Sequence, residues 1–220
     1  QQEALEKIIN YFKNNNKCIL NWVCRLGKTV LSIKLILSLM PHSVIIGVPS
    51  ISLLNQWCNN IKKYCGNEYQ NIKIGDNSKD LVESSDDKTI YLTTYKSSYK
   101  LNLIKCTLKV LDEIHHLTYN VTKKNNNPNT DNKNRAILDI ESDYQLGLTA
   151  TLKISENVNV IGNNSLDVFG KKIDERSLSW AIVNGYICDY EIASPITNID
   201  YIKDTLEELK IETNIDLFVS

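Results

Sequence analysis

The chain has 220 residues, 42% hydrophobic and 23% charged, which is length and apolar content for one generous domain with a sizeable core and excludes a mostly disordered chain. A net charge of −1 excludes a global basic field, so any nucleic-acid site must be local. The longest apolar run, residues 30–40, is broken by Ser32, Lys34 and Ser38 and falls short of the roughly 20 residues of a membrane span; with no signal-peptide pattern, this points to an intracellular protein, cytoplasmic or nuclear, without a membrane partner.

In chain order, Leu5, Ile8, Ile9 and Phe12 fall at i, i+3, i+4, i+7, which predicts a helix over residues 2–13 with one buried face. Residues 18–23 form a short apolar run, followed by Arg25-Leu26-Gly27-Lys28-Thr29 and an apolar helix that Pro41 ends. Residues 43–48 predict a second strand closed by Pro49, and Leu53, Leu54, Trp57 and Ile61 line one side of the helix that follows. Beyond a polar stretch, residues 89–93, 106–111 and 144–148 predict further strands. Residues 119–135, with Asn125-Asn126-Asn127-Pro128-Asn129 and several lysines, have almost nothing to bury and read as a solvated insertion. Strands alternating with helices define an α/β fold with a mainly parallel sheet covered on both faces. The six cysteines carry no C-x-x-C pair and read as reduced, buried thiols rather than disulfides or zinc ligands.

Three segments carry chemistry. Gly27-Lys28-Thr29, between a predicted strand and helix, offers what a nucleotide phosphate needs: backbone N–H groups at a helix start, a lysine for the β and γ oxygens, and a hydroxyl for Mg²⁺. The full phosphate-loop pattern has a glycine at position 22, where this chain has Trp22. Taken alone the tripeptide is equally an ordinary turn before a buried helix. Val110-Leu111-Asp112-Glu113-Ile114-His115-His116 ends a strand on two acids; Asp112 can hold Mg²⁺ and Glu113 can activate water. His115 and His116 lack the further ligands a metal site requires. Gly147-Leu148-Thr149-Ala150-Thr151 ends another strand with hydroxyls able to bond to the acidic segment.

All three lie at C-terminal strand ends, the edge where open α/β sheets bind ligands. In this order they resemble the DEAD/DEAH-type superfamily-two helicases, in the branch of restriction-enzyme motor subunits and XPB-like translocases. The resemblance implies a RecA-like P-loop NTPase fold over residues 1–195, ATP and Mg²⁺ as cofactors, and nucleic acid as partner, with DNA favoured over RNA. It implies that Gln1 reads adenine, that Cys24, Arg25, Leu26, Gly27, Lys28 and Thr29 bind nucleotide, and that Thr29 and Asp112 hold the metal. Asp112, Glu113 and Lys28 would be catalytic, while His115, Thr149, Ala150 and Thr151 would couple nucleotide to track. Residues 48–57 resemble the segment that holds a nucleic-acid backbone, with Ser50 as the contact; residues 92–96 resemble a second such segment, with Thr93 and Thr94 as contacts that position without reading bases.

Phe169-Gly170, Arg176-Ser177-Leu178, Ala181-Ile182 and Gly185-Tyr186-Ile187 resemble the stretch leading out of the first motor domain, with a packing role. Arg25 replaces a glycine of the family's loop and is expected to point outward. Nothing after residue 195 resembles a second motor domain, so residues 196–220 read as linker or the start of that missing half, and hydrolysis is expected to need it. The alternative is a non-catalytic, nucleotide-dependent module that binds nucleic acid or a protein partner; a P-loop kinase of small molecules leaves residues 48–57 and 169–190 without a role.

Overall fold

The computed structural model describes residues 1–66, 68–74, 87–121 and 131–189. Helix α1 (Gln2–Phe12) leads into β1 (Lys17–Trp22), α2 (Lys28–Leu39), β2 (Ser43–Val48), α3 (Ile51–Cys65), β3 (Gln70–Ile74) and β4 (Thr89–Thr94). A 3-10 helix (Tyr95–Leu101) precedes β5 (Cys106–Asp112), and a second (Ile114–Leu117) precedes β6 (Tyr119–Asn120). Then come α4 (Asp131–Asp139), β7 (Ser142–Thr149), β8 (Val160–Ile161), α5 (Leu166–Phe169), β9 (Lys171–Arg176) and α6 (Leu178–Val183).

Seven strands form one sheet in the order β3-β4-β2-β5-β7-β1-β9, and every pairing in it is parallel. The α/β expectation therefore holds. The side-chain period of 2 divides each central strand between two cores. Val44 and Ile46 of β2, Leu108 and Val110 of β5, and Leu146 and Leu148 of β7 pack with α1, α2 and α3. Ile45 and Leu111 point the other way, toward Tyr95, Ile114, Ile137 and Phe169. Each Leu or Ile so buried contributes roughly 1.5–3 kcal/mol relative to exposure.

Several boundaries and elements differ from the sequence reading. The phosphate-side helix starts at Lys28, β5 runs one residue further to Asp112, and β7 spans Ser142–Thr149. The segment read as a solvated insertion is structured at both ends: Tyr119 and Asn120 pair with β8, and α4 begins at Asp131, while residues 122–130 lie outside the described residues, as do 190–220. At α4 the reason is a buried cation that sequence periodicity does not register. Lys109 of β5 is 2% exposed, and its Nζ donates to the carbonyls of Ile137 (3.1 Å), Leu138 (3.4 Å) and Ile140 (2.7 Å), capping the C-terminus of α4. Burial lowers its pKa to about 8. Cys18, Cys65 and Cys106 are buried, but Cys24 and Cys188 are exposed. No helix among the described residues is long and apolar enough to cross a membrane.

Strand β9 joins the sheet edge beside β1 through a turn at Gly170, which has φ +81°; a Cβ there would lie 2.1 Å from the Lys17 carbonyl oxygen. Backbone contact and left-handed conformation act together, so Gly170→Ala should destabilise the domain by about 2–4 kcal/mol, measured as a lowered midpoint of urea unfolding with an unchanged m-value.

Candidate functional site

The parallel arrangement brings the C-terminal ends of β1, β2, β4, β5 and β7 to one edge. Register aligns them closely: Asn21 pairs with Thr149, Asp112 with Leu148, and Gly47 with Leu111. Beyond β1 the pairing with β9 persists one step, Val23 N donating to the Arg176 carbonyl at 3.0 Å, and the chain then turns sharply. Arg25 (φ 69°) and Gly27 (φ +84°) both take the left-handed conformation. Glycine does so freely, whereas a side chain costs roughly 1–2 kcal/mol. Arg25 thus follows the turn a glycine would make, with its side chain exposed, and Cys24 is exposed beside it.

Gln1 lies across this loop. Its Nε2 donates to the Leu26 carbonyl at 3.3 Å, and a Cβ on Gly27 would stand 2.2 Å from the same nitrogen. Helix α2 begins with no side-chain cap and no acid in its first turn, so its N–H groups and positive end face the loop free of a built-in anion. Lys28 is buried, its Nζ donating to the Trp22 carbonyl at 2.8 Å; Thr29 is half-buried in the same turn.

Asp112 is 5% exposed, and its Oδ2 accepts from Trp57 Nε1 at 2.8 Å. Burial raises its pKa above the ordinary carboxylate range, against the opposing Trp57 hydrogen bond and Lys28 charge. Its carbonyl accepts from the buried Tyr95 hydroxyl. Glu113 sits in the left-handed region (φ 55°), and its Oε2 lies 3.3 Å from His115 Nδ1. The same Nδ1 is 3.2 Å from Thr149 Oγ1, which donates to the Thr151 carbonyl (2.8 Å) and accepts from the Thr151 N–H (3.1 Å). With the hydroxyl proton spent on Thr151, a protonated Nδ1 suits both acceptors. Burial, with His116 and Lys153 nearby, lowers the His115 pKa.

The structure thus joins Gln1, Leu26, Gly27 and Lys28 in one group, and Glu113, His115, Thr149 and Thr151 in another; Ala150 is half-buried in the turn between the two threonines. The nucleic-acid candidates fare differently. Ser50 is exposed and caps α3, its Oγ accepting from Leu53 N at 3.3 Å. Thr93 and Thr94 are buried, with hydroxyls donated to the Thr94 carbonyl and to Ser97 Oγ, so neither is presented at the surface.

Three features escape sequence reasoning. Trp57 is core, yet also the donor to Asp112. Asn163 is 2% exposed; its Nδ2 donates to the Ile114 carbonyl (3.1 Å) and its Oδ1 accepts from Lys153 N (3.0 Å), clipping the loop after β7 to the turn after Asp112. The run assigned a packing role supplies Arg176, Trp180 and Tyr186 to a cavity of about 240 Å³ that Gln1, Trp22, Arg25, Leu26 and Gly27 also line. Asp174, 8% exposed, anchors that wall by accepting from Trp22 Nε1 (2.7 Å), Lys7 Nζ (2.9 Å) and Arg176 Nε (3.2 Å).

The Gly27-Lys28-Thr29 turn and the Asp112–Glu113 pair, with the strand that ends at Thr149 between them in the sheet, lie on one edge of a RecA-like domain of the superfamily-two helicase-like kind. Residues 1–154 match the family described as "Type III restriction enzyme, res subunit", and the chain belongs to it. No curated protein matches the sequence. Among solved structures, the chain is similar to the ATP-dependent Type ISP restriction-modification enzyme LlaBIII bound to DNA, at TM-score 0.67 and 16% identity over 86% of this chain and 16% of that one. It is similar to a nuclease-deletion mutant of the Type ISP enzyme LlaGI in complex with a DNA substrate mimic, at TM-score 0.67 and 17% identity over 86% and 18%. These likenesses show the fold, and the chain spans less than a fifth of either protein's length.

Burial pushes the Asp174 carboxyl up, but hydrogen bonds from Lys7, Trp22 and Arg176 bring it below the ordinary range. A depressed carboxylate contributes stability above its unfolded pKa of about 4, lost as pH falls through the folded value. Asp174→Asn should therefore cost about 1–3 kcal/mol at neutral pH and flatten the loss of stability below about pH 4, as read by denaturant unfolding across a pH series.

Proposed function

We propose that the chain is the ATP-binding half of a DNA-dependent motor, an ATP hydrolase that moves along nucleic acid. The observation that carries this reading is the uncapped start of α2, with Lys28 buried beneath it and the buried Asp112 aligned on the same sheet edge. An anion is what such a helix start accepts. Lys28 would exchange the Trp22 carbonyl for the β and γ phosphates. The donor set fits Mg²⁺, which keeps several waters and takes one or two carboxylates with the substrate phosphates: Asp112 and Thr29 would hold it, and it would neutralise developing phosphate charge.

Glu113 would take the proton of the attacking water, its carboxylate held by His115. Because His115 also touches Thr149, a change at Glu113 on hydrolysis would be felt at Thr151 and the loop that Asn163 clips. Ser50 would meet the nucleic-acid backbone, with Thr93 and Thr94 bracing that edge from within. DNA is favoured as the track because both structural neighbours are described with DNA. Turnover would need an arginine from a second motor domain, a contribution of about 10³–10⁵ in comparable phosphoryl transfers. Arg25 in the loop favours a second reading, a module that binds nucleotide and nucleic acid without turnover.

Lys28→Ala should weaken ATP binding at least about tenfold, the cost of a charge-assisted contact; unchanged affinity would remove the site assignment. Glu113→Gln should bind ATP normally while DNA-stimulated turnover by the parent motor falls by about 10²–10⁴. ATP bound with no stimulation by single-stranded or duplex DNA or RNA would select the second reading.

A further inference from the structure

The hydrogen bond from Trp57 to Asp112 crosses from helix α3 to the end of β5. Helix α3 buries Leu54, Trp57, Ile61 and Cys65 in the core it shares with β2 and β5. An apolar side chain at position 57 would fill that face; the indole adds a donor that such a side chain lacks. Trp57 is 1% exposed and Asp112 5%, and Nε1 donates to Oδ2 at 2.8 Å. A buried indole N–H needs one acceptor. Here it takes a carboxylate, which accepts more strongly than a neutral group.

Each contact to Asp112 fixes a different part of it. The Tyr95 hydroxyl bonds the carbonyl and holds the backbone. The Glu113 backbone N–H bonds the carboxylate from the adjoining residue and so moves with the strand end. Trp57 bonds it from a separate helix, which sets the rotation of the carboxylate against the body of the domain. A carboxylate has about four acceptor sites, so these bonds orient it and leave capacity for a cation.

We infer that Trp57 is a positioning residue for the cation site: its N–H sets the rotation of the Asp112 carboxylate at which Mg²⁺ would bind. The inference rests on the Mg²⁺ reading of Asp112 above and adds to it a residue from α3. Groups that orient a metal ligand typically account for about 10–100-fold in metal affinity.

The test is calorimetric titration of the full chain with ATP, in Mg²⁺ and in EDTA. Three chains are compared: wild type, Trp57→Phe, and a chain carrying the benzothiophene isostere of tryptophan at position 57, which keeps the ring shape and replaces N–H by sulfur. In wild type, Mg²⁺ should strengthen ATP binding. In both altered chains the ratio of the Mg²⁺ to the EDTA affinity should fall about tenfold, while the EDTA affinity, which reads the phosphate loop without the cation, stays within about twofold. Should Trp57→Phe unfold, the isostere carries the comparison by itself. In indole ¹⁵N NMR spectra, the Trp57 signal, identified by its loss in Trp57→Phe, should move when Mg²⁺ is added to the ATP-bound wild type. An unchanged ratio in the isostere chain, equal losses with and without Mg²⁺, or a stationary Trp57 signal would overturn the positioning role and leave the Mg²⁺ reading of Asp112 standing. Wild type that binds ATP no more tightly in Mg²⁺ than in EDTA would overturn that reading, and the positioning role with it.

Discussion

The direction of the strands governs this domain. Seven strands running the same way must return their connections over the faces, so helices cover both sides and every strand is buried where it matters. The same constraint delivers every strand's C-terminal end to one edge. A lysine at the start of α2 and an aspartate from the end of β5 are both brought to it although more than eighty residues separate them. Had one central strand been reversed, its functional residue would sit at the opposite rim.

Around that edge, buried polar groups replace apolar packing as the means of fixing position. Trp22 illustrates the division of labour: its carbonyl holds Lys28, its indole N–H holds Asp174, and its ring lines the cavity. The tryptophan stands where a phosphate loop usually has glycine, and the bonds explain how the loop accommodates it. At the middle of the edge, Asp112 is held from two sides, its carboxylate by Trp57 and its carbonyl by Tyr95. These groups were desolvated on folding and are satisfied only in one arrangement, so they specify geometry as well as contributing energy.

What the sequence disclosed follows from these two kinds of interaction. Strands buried on both faces read as apolar runs, so β2 was legible to the residue, and local motifs such as Gly27-Lys28-Thr29 and Asp112-Glu113 announced themselves. Strand β9, Lys-Lys-Ile-Asp-Glu-Arg, did not. It is an edge strand, where charge is tolerated, and its pattern carries one apolar residue. The partners of Asp174 lie up to 167 residues away along the chain, and Asn163 is one asparagine among many, so neither has a local signature. Trp57 was legible as core but not as a donor, because helical spacing reports which face is buried and not what the buried atom touches.

The lysine that closes α4 has a consequence for how that helix is held. Helix α4 is fastened at its far end by Lys109, and nearer its start Arg135 rests on the Tyr119 ring at 4.5 Å. Both anchors come from residues that precede the helix in the chain, so α4 is positioned by side-chain contacts from β5 and β6. The helix is thus fastened independently at two points, at its C-terminus by hydrogen bonds from β5 and at Arg135 by an aromatic face of β6.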